Sequence, residues 1–136
     1  MEYPQSIAEA IKLLDENLPK KEKKKLKSME KDDLISLHFG FGMGLRNSFG
    51  IWQDTGFTRE MKQIMVMHPD DMSAELIEIY WEKLNDTDFQ LASYLQKRKE
   101  KALIEVTSQI DHCTDYLKQL HEVKHSLELD LSKKEN

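Results

Sequence analysis

The fold turns on how one stretch is read: Leu37–Trp52, LHFGFGMGLRNSFGIW. It holds four of the chain's five glycines, an aromatic-rich apolar set, and one each of His, Arg and Asn. A phosphate-cradling loop needs its glycines at G-x-G-x-x-G or Walker spacing. Here they fall at 40, 42, 44 and 50, and no lysine follows. A strand fits the alternation of Leu37, Phe39, Phe41, Met43 and Leu45 with His38, Gly40, Gly42, Gly44 and Arg46. Yet glycine is a poor strand residue, and nothing else in the chain offers a strand to pair with. The helical reading puts Leu34, Leu37, Phe41 and Leu45 on one stripe, with His38 at its border, and Ile35, Phe39 and Met43 on a second. Such a helix is apolar nearly all round and belongs in the middle of a bundle. Gly40 and Gly44 would admit a neighbouring helix, which must offset up to about 1 kcal/mol per glycine relative to alanine. Asn47 or Ser48 ends the helix, with Gly50 just beyond. We take the helix.

The flanking segments agree. Ser6 and Glu9 have capping-box spacing, and Ile7, Ala10, Ile11 and Leu14 recur at helical intervals, predicting a helix from Ile7 to Asn17. Pro19 opens a second helix to about Met29, mostly lysine, with Leu26 and Met29 as its apolar contacts. Asp32 and Asp33 are candidate N-caps for the helix entering Leu37–Trp52. Thr58 is expected to cap REMKQIMVM, in which Met61, Ile64, Met65 and Val66 share a face. HPDD, His68–Asp71, separates that helix from one over Met72–Leu84, in which Leu76, Ile77, Tyr80, Trp81 and Leu84 keep i, i+3, i+4 spacing.

From Asp86 onward no glycine or proline occurs. With Leu103 at a heptad a position, the a/d series is Leu103, Val106, Ile110, Cys113, Leu117, Leu120, Lys124, Leu127, Leu131, with eight of the nine apolar. The register weakens upstream, at QKRKEK. A helix over Asp86–Leu131 would be about 70 Å long, more than the preceding domain can cover. The predicted organisation is therefore all-α: a compact helical domain over 1–85, a long amphipathic helix with coiled-coil character over 86–131, and a polar tail over 132–136.

The pattern His38-Phe39-x-x-Gly42-x-x-x-Arg46-Asn47-x-Phe49-Gly50-x-Trp52, followed by His68-Pro69-Asp70-Asp71 and the helix containing Trp81, resembles an uncharacterised family of small bacterial domains. That family has no known function. The likeness covers roughly Ser6–Leu84 and leaves the C-terminal helix outside. This chain has Gly44 where the family usually carries a bulky residue, and Ser48 where it usually carries Asn. The resemblance implies a helical domain and brings no activity with it.

Each chemical reading has a structural competitor. His38, Arg46, Asn47 and Trp52 could form a pocket for a small anion or nucleotide, with Arg46 as the fork and His38 as an acid or base. Alternatively, Arg46 and Asn47 satisfy carbonyls and loops at a helix end, and this is the reading we favour. His68, Asp70 and Asp71 suggest metal ligands, but Asp70 or Asp71 as N-cap with Pro69 as helix-breaker explains them without metal. HEVKH, His121–His125, matches H-E-x-x-H, but no histidine follows it as a third ligand, and it lies inside the heptad segment. KKEKKKLK, Lys20–Lys27, lacks interleaved aromatics and reads as a solvated face. The five methionines from Met43 to Met72 read as core filling.

A net charge of −5 opposes general nucleic-acid binding. No apolar run approaches the ~18 residues that span a bilayer, and the N-terminus shows no secretory pattern. The single Cys113 excludes an internal disulfide and suits a reducing, cytoplasmic setting. The expectation is a non-enzymatic interaction module without cofactor or metal, associating with itself or a helical partner through Leu103, Val106, Ile110, Cys113, Leu117, Leu120, Leu127 and Leu131. The alternative is a small-ligand domain built on His38, Arg46 and Asn47.

Overall fold

Glycine leaves the Leu37–Trp52 stretch helical but makes the helix irregular. The computed structural model describes residues 2–134, and among them there is no strand. The elements are α1 (Ile7–Asn17), α2 (Lys20–Ser28), a 3-10 helix (Lys31–Leu37), a π turn (His38–Gly42), α3 (Met43–Ser48), α4 (Gly56–Gln63), α5 (Pro69–Asn85) and α6 (Leu91–Lys134). The opening stretch is thus one helical path that changes winding twice, tight, then wide, then regular.

That path does not sit in the middle of a bundle. Leu45 is buried and Leu34, Leu37 and Phe41 are partly buried against the core, as the first stripe requires. The second stripe is bare: Ile35 is 82% and Phe39 78% exposed, and Met43 is exposed too. A Cβ placed at Gly40 or Gly44 meets nothing within 4 Å, so these glycines face open space and admit no neighbouring helix. The first stripe is covered by the core and the second is not.

Several helix ends differ from the sequence expectation. Ser6 Oγ accepts from Glu9 N–H (3.0 Å), but the Glu9 carboxylate returns to Gln5 N–H, not Ser6 N–H, so the box closes one residue early. Asp32 and Asp33 are not caps; they lie in the first turn of the 3-10 helix, whose N-cap is Glu30. Thr58 is not the cap of α4. Thr55 is, with Thr58 completing a capping box from the third position, and the helix stops at Gln63, short of Met65 and Val66. Gly50 has φ +65, and Ile51 N–H reaches Arg46 C=O (3.1 Å), closing α3 in a Schellman motif. A side chain at Gly50 would also strike the Tyr3 ring, at 2.4 Å.

The core is built by α1, α4 and α5, with Ile7, Ile11, Phe57, Met61, Leu76 and Tyr80 among its buried residues. Full burial of such a side chain contributes roughly 1.5–3 kcal/mol relative to exposure. Asp15 sits at the junction of three helices. Its carboxylate accepts from Tyr80 Oη (2.8 Å) and pairs with Lys83, while its backbone carbonyl accepts from Lys23 Nζ (2.6 Å). Burial raises the Asp15 pKa, but the bonds from Lys83 and Tyr80 and the nearby charges outweigh it, leaving the carboxyl below its ordinary value. Burial, aided by Asp15, pushes the Tyr80 phenol well up. Trp81 Nε1 donates to the Met29 carbonyl (2.9 Å), which fixes the end of α2 on α5.

Helix α6 begins at Leu91 rather than Asp86, because Asp86 turns the chain: its Oδ1 accepts from Asp88 N–H and its carbonyl from Phe89 N–H. The chain divides into two compact units, one running through Lys99 and one from Glu100. The first takes in the start of α6, where Leu91, Tyr94 and Leu95 pack on the core beside Phe89 of the preceding turn. The QKRKEK segment does not interrupt the helix. Its Arg98 Nε meets Glu75 Oε1 (3.0 Å), which also accepts from Tyr94 Oη (3.0 Å). Burial and Glu75 together raise the Tyr94 phenol pKa. The described part of the second unit is the rest of α6, in which every described side chain from Thr107 to Lys133 is exposed. Of the expected polar tail, 132–134 continue this helix and 135–136 lie outside the described residues.

Candidate functional site

Arg46 is the most informative polar residue of the first unit. It is only 4% exposed, yet each of its three guanidinium nitrogens has a partner in the chain. Nη1 donates to Ser73 Oγ (2.7 Å), Nη2 donates to the His38 carbonyl (3.0 Å), and Nε faces Asp70 Oδ1 (3.4 Å). Ser73 Oγ in turn donates to the Asp70 carbonyl (2.9 Å). A helical side chain leans toward the N-terminus of its own helix, so Arg46 lies back along the π turn and ties it to the start of α5.

The same lean explains Gly42. A Cβ there would sit 3.1 Å from Arg46 Nη1 and 3.2 Å from the Leu37 carbonyl. Glycine four residues before Arg46 leaves the channel through which the guanidinium reaches Ser73. The G-x-x-x-R spacing was the signal available in the sequence. Ser73 and Asp70 carried no comparable signal as partners of Arg46.

The predicted cap of α5 is corrected. His68, not Asp70 or Asp71, is the N-cap: its Nδ1 accepts from Asp70 N–H (3.1 Å), with Pro69 opening the helix. The same Nδ1 lies 3.8 Å from Asp70 Oδ2. Asp70 and Asp71 lie in the first turn, where their charge suits the helix dipole.

The four residues predicted to share a pocket are placed differently from one another. His38 is half-buried, its Nε2 3.9 Å from Asp70 Oδ2 and its ring edge-on to Phe39. Arg46 is buried, and Asn47 is exposed. Trp52 is exposed and stands edge-on to His68, ring centres 6.0 Å apart. The cavity beside Gly42 and Ser73, bordered by His38, is about 40 Å³. That is water-sized, against roughly 300–1,000 Å³ for small-molecule pockets. An apolar cleft of about 120 Å³ between α2 and the π turn is lined chiefly by Leu18, Leu26, Met29, Leu37 and Phe41. A wider depression of about 290 Å³ is bordered by Asp71, Glu75, Glu78 and Arg98, an excess of carboxylates that disfavours an anion.

The lysines of α2 are exposed apart from Lys23, which is half-buried and donates to Asp15. Of the five methionines, Met61 and Met72 fill the core while Met43 and Met67 are exposed, so core filling describes only some of them. His121 and His125 are exposed on α6, and among the described residues no three potential metal ligands converge.

A family model described as a domain of unknown function (DUF6794) matches residues 3–84. The chain belongs to this family. The DUF6794 match ends with α5, so it contains the whole Arg46 tie and stops before the turn and α6. No curated protein and no solved structure matches the chain.

The other candidate surface lies outside the DUF6794 match. Along α6, Leu103, Ile110, Cys113, Leu117, Leu120, Leu127 and Leu131 are exposed and Val106 is half-buried. Among the described residues no helix is long and apolar enough to cross a membrane.

Proposed function

We propose that this DUF6794 protein is a non-enzymatic association module of the cytoplasm, which joins to a second copy or a helical partner through the α6 seam. One observation carries the reading: an apolar heptad row runs along a helix whose described side chains from Thr107 to Lys133 are all exposed. Most helices owe their stability to packing of an apolar face rather than to intrinsic propensity. An exposed i, i+4 ion pair such as Lys124–Glu128 (3.0 Å) contributes only a few tenths of a kcal/mol. Soluble proteins rarely leave a continuous apolar surface bare, and extended ones mark interaction sites.

A small-anion site at His38, Arg46 and Asn47 has less support. The Arg46 guanidinium is engaged within the chain and faces a carboxylate, and the adjacent cavity is water-sized.

Light scattering tests the association reading on the full chain and on Leu117→Glu. The wild type is expected at twice the chain mass or more, and the variant at a monomer with its first unit still folded. A monomeric wild type at all concentrations would sink association with a second copy, and an unchanged multimeric mass for Leu117→Glu would sink the seam as its surface.

A further inference from the structure

The two flanks of the α6 seam are unlike. Of the g positions Gln109, Tyr116, Val123 and Asp130, the central two are apolar, and Tyr116 and Val123 are 59% and 56% exposed. The e positions on the other flank are Thr107, Thr114, His121 and Glu128, all polar. In a parallel pair each g residue lies beside an e residue of the other helix. Tyr116 would then lie against His121, and Val123 against the charge of Glu128. Reversing one helix changes the pairing to g beside g and e beside e. Tyr116 and Val123 then cover one another, Gln109 lies beside Asp130, and the polar e flank stays in water.

Lys124 points the same way. It is the one charged residue among the a and d positions from Leu103 to Leu131. In a parallel, in-register pair it faces its own copy across the seam, ammonium against ammonium. An antiparallel pair separates the two lysines. With the two-fold axis between Leu117 and Leu120, Leu117 meets Leu120, Ile110 meets Leu127 and Val106 meets Leu131. Lys124 then meets Cys113, the smallest side chain in the seam, which leaves room for the lysine stem to run to the edge. Its ammonium already pairs there with Glu128, at an e position. The same axis sets Tyr116 beside Val123.

We propose that the occupant of the α6 seam is a second copy of this chain, running antiparallel, with Lys124 of each helix opposite Cys113 of the other. This rests on the seam being the association surface. The arrangement is isologous, each contact occurring twice about the axis.

Cys113 is the only cysteine, so the full chain reports on its own geometry. The wild type and Lys124→Cys are treated with a mild thiol oxidant, the interchain bond is located by peptide mass spectrometry, and mass is measured alongside by light scattering. Opposed cysteines must bring their Cβ atoms to about 4 Å. In the antiparallel register the two Cys113 lie about 16 Å apart along the helix axis, eleven residues of rise, and so do positions 113 and 124 of one chain. The expected result is at least a tenfold faster interchain bond in Lys124→Cys than in wild type, joining 113 to 124. A fast 113–113 bond in wild type, or 124–124 in the variant, would establish a parallel pair and overturn the proposal. A dimeric mass with no bond in either protein would overturn this register. A monomeric mass would remove self-association through the seam, and this proposal with it, a failure distinguishable from the others.

Discussion

Arg46 and Lys124 are both cations placed among apolar neighbours, and the chain treats them in opposite ways. Around Arg46 the first unit supplies everything the charge needs: a hydroxyl, a carbonyl and a carboxylate, each within reach. Among the described residues, no buried side-chain nitrogen or oxygen lacks a hydrogen-bond partner. Lys124 stands on a helix with its apolar neighbours bare and only Glu128 for company. The first region satisfies its charge within one chain, whereas the second leaves an apolar row bare, the surface that the proposed association would cover. Substitutions around Arg46 should therefore register as stability, and substitutions along α6 as mass.

Both tryptophans, Trp52 and Trp81, lie in the first unit, so tryptophan fluorescence during urea unfolding reads that unit separately. The largest effect is expected from Arg46→Ala. It strands Ser73 and the His38 carbonyl and removes the cation facing Asp70, at a cost of about 2–4 kcal/mol. A loss below about 1 kcal/mol would mean that the tie is ornamental and would reopen the ligand reading. Leu117→Glu, by contrast, should leave the fluorescence midpoint within about 0.5 kcal/mol of wild type.

The glycines sharpen the comparison. Gly42→Ala presses a methyl on the Arg46 guanidinium and the Leu37 carbonyl and should cost about 1–3 kcal/mol. Gly44→Ala, at an open helical position, should instead stabilise the domain by up to about 1 kcal/mol. Equal effects of the two substitutions, measured by the same urea titration, would contradict the assignment of Gly42 as the packed position and Gly44 as the open one.

The smallest effect concerns acid. The Asp15 pKa is lower in the folded state than in the unfolded chain. Its contribution is therefore fully present above the ordinary carboxylate value, near 4, and is lost as pH falls through the depressed folded value. The carboxylate is about one-third exposed, so solvent screening keeps the effect modest. Asp15→Asn should flatten the acid limb of the stability curve below about pH 4. An unaltered limb would show that other carboxylates carry it.

Legibility followed the kind of interaction involved. The span of α1 and the face of α5 were visible in periodicity, because a helix repeats its buried positions at a fixed interval. The seam's heptads were visible for the same reason. The caps at Thr55 and His68 were missed in favour of Thr58 and Asp70 or Asp71, since adjacent polar residues compete for one cap and local sequence does not rank them. The Ile35–Phe39 stripe is bare although its spacing predicts burial, because periodicity says which residues share a face and not whether anything lies against it. The Arg46 site was half legible: Gly42 and Arg46 are four apart on one helical path, whereas Ser73 is 27 residues further on.

The sequence by itself determined that the chain is helical, where most helices run, and that its last third carries an apolar row on a polar helix. These follow from local propensity and spacing. The tertiary structure alone decided that Arg46 is a tie to Ser73 and Asp70 rather than an open fork, that Gly42 is packed beside that tie while Gly40 and Gly44 are open, and that the first unit reaches Lys99. Each depends on groups distant in sequence meeting within a few ångströms, and no periodicity encodes that.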